Sequence, residues 1–207
     1  MSAEHPENHP EGSKPPEPGP FTQQVQHQNI GARVPEKVAR GVFSNGVLVV
    51  QGPQEFALDF MLRMAKPHQL VARVILPPSN LPGLIGALTE NLNRYQSVFG
   101  PVPGLMQSPP PAKPPSVAEI YEELKFPDDL LSGTYANATM ISHSQAEFCF
   151  DFITNLFPRS VVSCRVYLAA PHVPGLLQSL SRSFQQYQQK LMEQQQQQKK
   201  SEPHRVN

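Results

Sequence analysis

Two aspartate–arginine pairs, Asp59 with Arg73 and Asp151 with Arg165, recur with the same internal separation, 92 residues apart along the chain. An opposed carboxylate and guanidinium can fix the register of two strands, or can offer a charged site to a ligand or partner. A register-setting ion pair is the expected role here, with a ligand or partner contact as the alternative. Little else is arranged for reaction chemistry. His5, His9, His27, His68, His143, His172 and His204 stand at no metal-ligand spacing with cysteine or carboxylate, and they read as solvated loop residues. No glycine-rich phosphate loop, nucleophile elbow or paired-cysteine motif occurs. The expectation is a protein that is not an enzyme, with no catalytic, cofactor or metal site.

The recurrence extends well beyond these pairs. Residues 34 to 99 align with residues 126 to 191 without a gap, and sixteen of the 66 positions are identical. Pro35, Gly41 and Asn45 match Pro127, Gly133 and Asn137, while Glu55, Phe56, Asp59 and Phe60 match Glu147, Phe148, Asp151 and Phe152. A period of 92 is too long for a solenoid, so the chain carries one small domain twice. Comparison of the copies also weakens two reactive readings. Cys149 and Cys164 stand where the first copy has Ala57 and Ala72, so the module needs no disulfide and the thiols read as small buried side chains. Ser142-His143-Ser144 is replaced in the first copy by Val50-Gln51-Gly52, which leaves a turn between strands.

Within each copy the hydrophobic period changes from two to 3.6. Residues 42 to 50 are rich in β-branched side chains and end at Gly52-Pro53, as a strand and turn would. Phe56, Leu58 and Phe60 then alternate with Glu55, Ala57 and Asp59, and in the second copy Phe148, Phe150 and Phe152 alternate with Glu147, Cys149 and Asp151. A third strand follows a turn near Lys66-Pro67 or Pro158. The helix after it has Pro82 in its first turn, with Ser79 or Asn80 able to cap it. Leu81, Leu84, Ile85, Leu88, Leu92, Tyr95 and Phe99 form its apolar stripe, as do Val173, Leu176, Leu177, Leu180, Phe184, Tyr187 and Leu191 in the second copy. The predicted fold class is α+β: two modules, each a three- to four-stranded antiparallel meander followed by one amphipathic helix, paired as a pseudo-dimer. Residues 30 to 34 and 121 to 126 are read as short lead-in strands.

A turn centred on Lys66 sets Asp59 opposite Arg73, and one centred on Pro158 sets Asp151 opposite Arg165, away from the phenylalanine face. That register puts Cys149 and Cys164 on opposite faces, so they cannot form a disulfide. It also puts Leu48, Val50, Val71 and Ile75, and in the second copy Met140, Val161 and Tyr167, beside the aspartates. With one helix over the phenylalanines, these side chains need a second cover. A module of this size is marginal alone, which favours pairing of the two copies within the chain about a pseudo-twofold axis.

The remaining sequence bounds the setting. The 24 prolines fall heavily in residues 6 to 20 and 101 to 115, and these stretches, like the glutamine run at 185 to 198, bury too little apolar surface to fold. The expected organisation is therefore a disordered proline-rich arm over 1–27, a first module over 28–100, a proline-rich linker over 101–119, a second module over 120–192 and a disordered glutamine-rich tail over 193–207. Ser116 and Glu119 have the spacing of a capping box, which predicts a short helix from residue 116. Seventeen basic and seventeen acidic residues cancel, so no overall field favours nucleic acid or an anionic membrane. Nucleic-acid binding on a sheet needs exposed aromatic and basic side chains together. Only Arg73, Arg165 and Tyr167 qualify, and the arginines already have acidic partners. The start is polar, and no apolar run approaches the ~18 residues of a membrane span. The expectation is a soluble, cytoplasmic protein without a membrane partner.

The segments VPEKVARGVFSNGVLVVQGPQEFALDF and VARVILPPSNLPGLIGALTENLNRYQSVFG resemble a family of small uncharacterised bacterial and archaeal proteins. Its pattern is a Tyr-Ser-Asn-like start, Glu-Phe-x-x-Asp-Phe, Arg-x-x-x-x-Pro and Asn-x-x-x-Tyr. Asn45, Glu55, Phe56, Asp59, Phe60, Arg73, Pro78 and Tyr95 carry it here, and Asn137, Glu147, Phe148, Asp151, Phe152, Arg165 and Tyr187 carry it in the second copy, where Ala170 replaces Pro78. Members look like single modules, so the resemblance implies a fused dimer and no particular activity. The functional expectation is a structural or protein-interaction module, bound to a protein partner or self-associated through module pairing. The alternative is a regulatory binder of nucleic acid or a small ligand on the Asp/Arg face. Asp59, Arg73, Asp151, Arg165, Asn45, Asn137, Glu55 and Glu147 are the candidate interaction or register residues.

Overall fold

The β-branched run after Gly41 does form strand, but it is broken once, at Asn45. The computed structural model describes residues 31–105, 116–156 and 158–201. A short helix α1 (Glu36–Ala39) leads into β1 (Val42–Ser44), β2 (Gly46–Gln51), β3 (Phe56–Leu62), β4 (His68–Leu76) and α2 (Leu81–Phe99). The second copy follows with α3 (Val117–Glu122), β5 (Leu124–Lys125), β6 (Thr134–Tyr135), β7 (Ala138–His143), β8 (Glu147–Thr154), β9 (Val161–Ala169) and α4 (Val173–Ser201). The fold is α+β and built from two repeated modules, each with an antiparallel three-stranded meander: β2-β3-β4 in the first sheet and β7-β8-β9 in the second.

The modules are joined by reciprocal exchange. β1 leaves its own module and pairs in parallel with β9, Val42 opposite Val166, while β6 pairs in parallel with β4, Thr134 opposite Val74. Further upstream, Arg33 bridges Val161, and β5 pairs with the start of β4. Each of these contacts has its counterpart 92 residues away, so the exchange obeys the pseudo-twofold axis. Because β1 runs straight into β2, and β6 into β7, the two sheets are connected at both corners. Gly41 and Gly133, with φ of 64° and 70°, make the turns that bring these strands in. A Cβ on Gly41 would meet the Arg165 and Tyr167 side chains within 2.8 Å, and one on Gly133 would meet Arg73 and Ile75 within 2.9 Å. Only glycine tolerates both the backbone angle and the crowding.

The phenylalanine faces of both sheets point into one shared core. Phe56, Leu58, Phe60, Phe148, Phe150 and Phe152 are fully buried, and Phe60 lies 6.3 Å from Phe150 and 5.7 Å from Phe152. The helices correct the expectation that each stripe covers its own sheet. Tyr95 of α2 packs 5.4 Å from Phe148 and donates a hydrogen bond to the Gln145 carbonyl at 2.8 Å, both in the other module. Reciprocally, Tyr187 of α4 meets Phe56 edge-on at 5.6 Å. An amphipathic stripe specifies that a face is buried, not which sheet buries it.

Three further differences have local causes. The register of β3 with β4 shifts between Phe60 and Met61, and that of β8 with β9 between Phe152 and Ile153. This bulge turns Val71 towards the main core and puts Leu70 on the Asp face instead. The glutamine-rich segment expected to be a disordered tail from residue 193 continues α4 as far as Ser201, in keeping with the helix propensity of glutamine. The linker expected over 101–119 gives way at Ser116 to α3, whose capping box forms as the spacing predicts. The arm over 1–27 and the proline run at 108 to 115 lie outside the described residues.

Candidate functional site

Both Asp–Arg pairs form, side by side across the strands predicted. Arg73 Nε and Nη2 donate to Asp59 Oδ1 and Oδ2 at 2.7 and 2.8 Å, and Arg165 makes the same fork to Asp151 at 2.6 and 2.7 Å. Each guanidinium also donates from Nη1 to a carbonyl of the exchanged segment, Arg73 to Leu131 and Arg165 to Ala39, both at 3.2 Å. Hydrogen bonding to its aspartate holds each arginine's pKa above the ordinary value, outweighing the opposing effect of burial. The charges are thus neutralised within the pair, and most of the donors are spent on fixing register and clamping the other module's crossing strand.

The other candidate residues sit at turns and corners. Asn45 and Asn137 occupy the points where a strand leaves one sheet for the other, and backbone pairing is interrupted. Asn45 Oδ1 accepts from the Arg63 backbone N–H at 2.7 Å, and Asn137 Oδ1 from that of Asn155 at 2.7 Å. Each side chain supplies the acceptor that the ladder lacks at the corner. Beside Asn45, the wholly buried Ser44 hydroxyl donates to the Gly46 and Met61 carbonyls, and Ala136 takes its place in the second copy. Glu147 accepts from the Ser144 hydroxyl at 2.6 Å across the β7–β8 turn, while Glu55 folds over the Gly52 turn and accepts from the Gln54 N–H at 3.1 Å. These residues build the scaffold and do not converge on one site.

A cavity of about 150 Å³ straddles the pseudo-twofold axis. It is lined by the equivalent pairs Val38 and Leu130, Val42 and Thr134, Val71 and Ser163, Ala72 and Cys164, and Arg73 and Arg165, with Lys37 also in its wall. Burial pushes the Cys164 thiol up to about 11, so it is protonated near neutral pH and is not a nucleophile there. Cys149, on the opposite face of its sheet, is also free. Among the described residues, no group of three or more His, Cys, Asp or Glu is placed to hold a metal ion.

The histidines include two exceptions to the expectation of solvated loops. His143 packs its ring among Phe148, Tyr95 and Phe99 at 5.2 to 6.3 Å, with Nδ1 buried and unpartnered. His172 is partly buried, and this burial, with Arg63 nearby, lowers its pKa. His5, His9, His27 and His204 lie outside the described residues.

The main departure from symmetry is on the outer faces, where the aspartates lie. On the first sheet, Met61, Leu70 and Leu124 make a satellite core with Leu48, Ile120, Tyr121, Phe126 and Leu130, so α3 and β5 cover this face. Tyr121 donates its hydroxyl to Asp59 Oδ2 at 2.5 Å, and Phe126 lies over the Arg73 guanidinium at 4.9 Å. On the second sheet the equivalents of Leu124 and Phe126 are Ala32 and Val34. There Met140, the equivalent of Leu48, is 53% exposed, and Gly31, Ala32, Ala138, Met140, Ile153, Asn155 and Ser160 line an open groove of about 240 Å³. Sequence reasoning had flagged Met140 as needing cover, but it missed Ile153 and Ala138. The available signal was the change from Ile120, Tyr121, Leu124 and Phe126 to the polar Gln28 and Asn29 and the smaller Ala32 and Val34 in the first copy.

No helix among the described residues is long and apolar enough to cross a membrane. No curated protein and no solved structure matches the chain. The family described as Protein of unknown function (DUF3467) matches twice, over residues 5–103 and 106–196, and these two matches coincide with the two modules. Glu55, Asp59, Arg73 and their equivalents thus recur as parts of one fold, and the chain belongs to this family as a tandem pair.

Proposed function

We propose that the protein is a non-enzymatic interaction module in which two fused halves form one scaffold, and the outer face of the second sheet receives another protein. The reading rests on the exposed apolar groove around Met140, set against the covered equivalent face around Leu48. Apolar side chains grouped on an otherwise completed sheet favour a contact with protein. Saturation of the two arginines by aspartate speaks against nucleic acid. A cytoplasmic setting agrees with two thiols held on opposite faces of a sheet. A second reading, a small-ligand binder, draws support from the axial cavity of about 150 Å³.

A photo-crosslinking amino acid at Met140, compared with one at the more exposed Met64 near the β3–β4 turn, tests the first reading in the native host. Protein adducts specific to position 140 are expected. Adducts identical at both positions, or adducts with nucleic acid alone, would refute it.

A further inference from the structure

The two outer faces are copies of one surface, and the covered copy displays the chemistry that the open one lacks. Beneath α3 the floor is Leu48, Met61 and Leu70 beside the Asp59–Arg73 fork; beneath the groove it is Met140 and Ile153 beside the Asp151–Arg165 fork, with Val162, the equivalent of Leu70, already fully buried. The floor is therefore retained. Above it, Leu124 and Phe126 are cut back to Ala32 and Val34, and the positions equivalent to Ile120 and Tyr121 hold Gln28 and Asn29. The aspartates differ accordingly. Asp59 Oδ2 accepts from both Arg73 and the Tyr121 hydroxyl and is wholly buried. Asp151 Oδ2 accepts from Arg165, keeps some exposure, and has no phenol on it among the described residues.

Resting on the reading of this face as a protein-binding surface, we propose that its occupant is a partner segment built like residues 116–122: a short capped helix bearing an aliphatic residue followed directly by tyrosine, seated beside Arg33, which already holds on the second sheet the edge position that β5 holds on the first. The aliphatic side chain fills the space above Ile153 and Met140. The tyrosine hydroxyl donates to Asp151 Oδ2, which accepts from Arg165 alone among the described residues. The complementarity comes from hydrogen bonding and shape, and the molecule itself holds the worked copy in α3.

The probe is a fluorescent peptide copying residues 116–122 of the chain (SVAEIYE), titrated into the full-length protein and read by anisotropy. Saturable binding is expected. It should weaken by roughly tenfold when the peptide tyrosine is replaced by phenylalanine, the loss of one hydrogen bond to a charged acceptor. It should fall similarly in Met140→Glu, a half-exposed site whose substitution leaves melting unchanged. Absence of saturation, equal binding of the phenylalanine peptide, or binding indifferent to Met140→Glu would each overturn the proposal. So would binding that appears only after residues 1–27 are removed, since the chain's own arm would then be the occupant. If the peptide fails while position 140 still crosslinks to protein, the interaction reading stands and only this partner chemistry falls.

Discussion

Substituting Asp59 by asparagine should destabilise the protein more than the same change at Asp151, although the two forks have nearly identical geometry. Asp59 is wholly buried and accepts three hydrogen bonds, at 2.7, 2.8 and 2.5 Å. Asparagine fills the same space but has one acceptor oxygen. Turning that oxygen towards Arg73 Nη2 and Tyr121 sets its amide against Arg73 Nε, so at least one charge-assisted bond is lost and a donor faces a donor. Removing one member of a buried ion pair costs about 3–5 kcal/mol. Arg73 keeps 19% exposure and regains some hydration, which favours the lower end, about 3 kcal/mol. Asp151 has no phenol on it among the described residues and is itself 9% exposed, so Asp151→Asn should cost less, about 2 kcal/mol. Thermal unfolding reads the difference: at about 2–4 °C per kcal/mol for this chain length, melting should fall by about 6–12 °C for Asp59→Asn and about 4–8 °C for Asp151→Asn. Tyr121→Phe supplies the third side of the cycle and should cost about 1 kcal/mol alone and less in the Asp59→Asn background. Equal losses at the two aspartates, or unchanged melting with loss of a binding activity, would refute the structural assignment of these pairs.

Burial, then the hydrogen bond to Asp59, pushes the Tyr121 phenol from 10.0 up to about 12. The unfolded chain therefore gives up this proton first. Its contribution to stability is full below pH 10 and is lost as pH rises towards 12, so Tyr121→Phe should flatten the alkaline decline in melting temperature and remove an absorbance change at 295 nm centred near pH 12. Replacing Asn137 by alanine leaves the part-buried Asn155 N–H without its acceptor and should cost about 1–2 kcal/mol by urea denaturation, against less than about 1 kcal/mol for the more exposed Asn45→Ala. Residues 28–100 expressed alone should be unfolded or dimeric by light scattering, because the strand that β1 pairs with and the Tyr187 cover of Phe56 both belong to the other module; a stable folded monomer would contradict the exchange.

The sequence made the sheet interiors readable because period-two alternation and a shared turn centre fix which residues oppose each other. Asp59 meets Arg73 because the bulge at Val71 adds one residue to β4 between the turn and the pair: the register next to the turn, continued unchanged, would set Ala72 opposite Asp59, and the extra residue brings Arg73 there instead. The exchange was not readable. Residues 42–50 look like one strand, and nothing in their β propensity shows that Asn45 divides them between two sheets. The side chain of Asn45 does carry a trace of it, since an asparagine inside an apolar run must find hydrogen-bond partners, and a strand corner provides them. The helical stripes likewise fixed burial but not partner. For the candidate site, the capping box at Ser116 located α3, but what α3 covers depends on tertiary placement that a local signal cannot encode.

Fusion of the two modules explains why one outer face can be open while the other is closed. In a symmetric dimer of identical modules, any residue that covers one face covers both, so a binding groove and a stabilising lid cannot coexist on equivalent surfaces. Once the copies share a chain, their lead-in segments can diverge independently. Here the segment before the second copy kept Ile120, Tyr121, Leu124 and Phe126 as a fixed lid on the first sheet, while the segment before the first copy has Gln28, Asn29, Ala32 and Val34 at those positions. The internal parts that hold the sheets together, the Asp–Arg forks, the corner asparagines and the buried phenylalanines, remain paired in both halves. Divergence has therefore fallen on the one layer that the fold can spare, which is what a scaffold gaining a binding face would require.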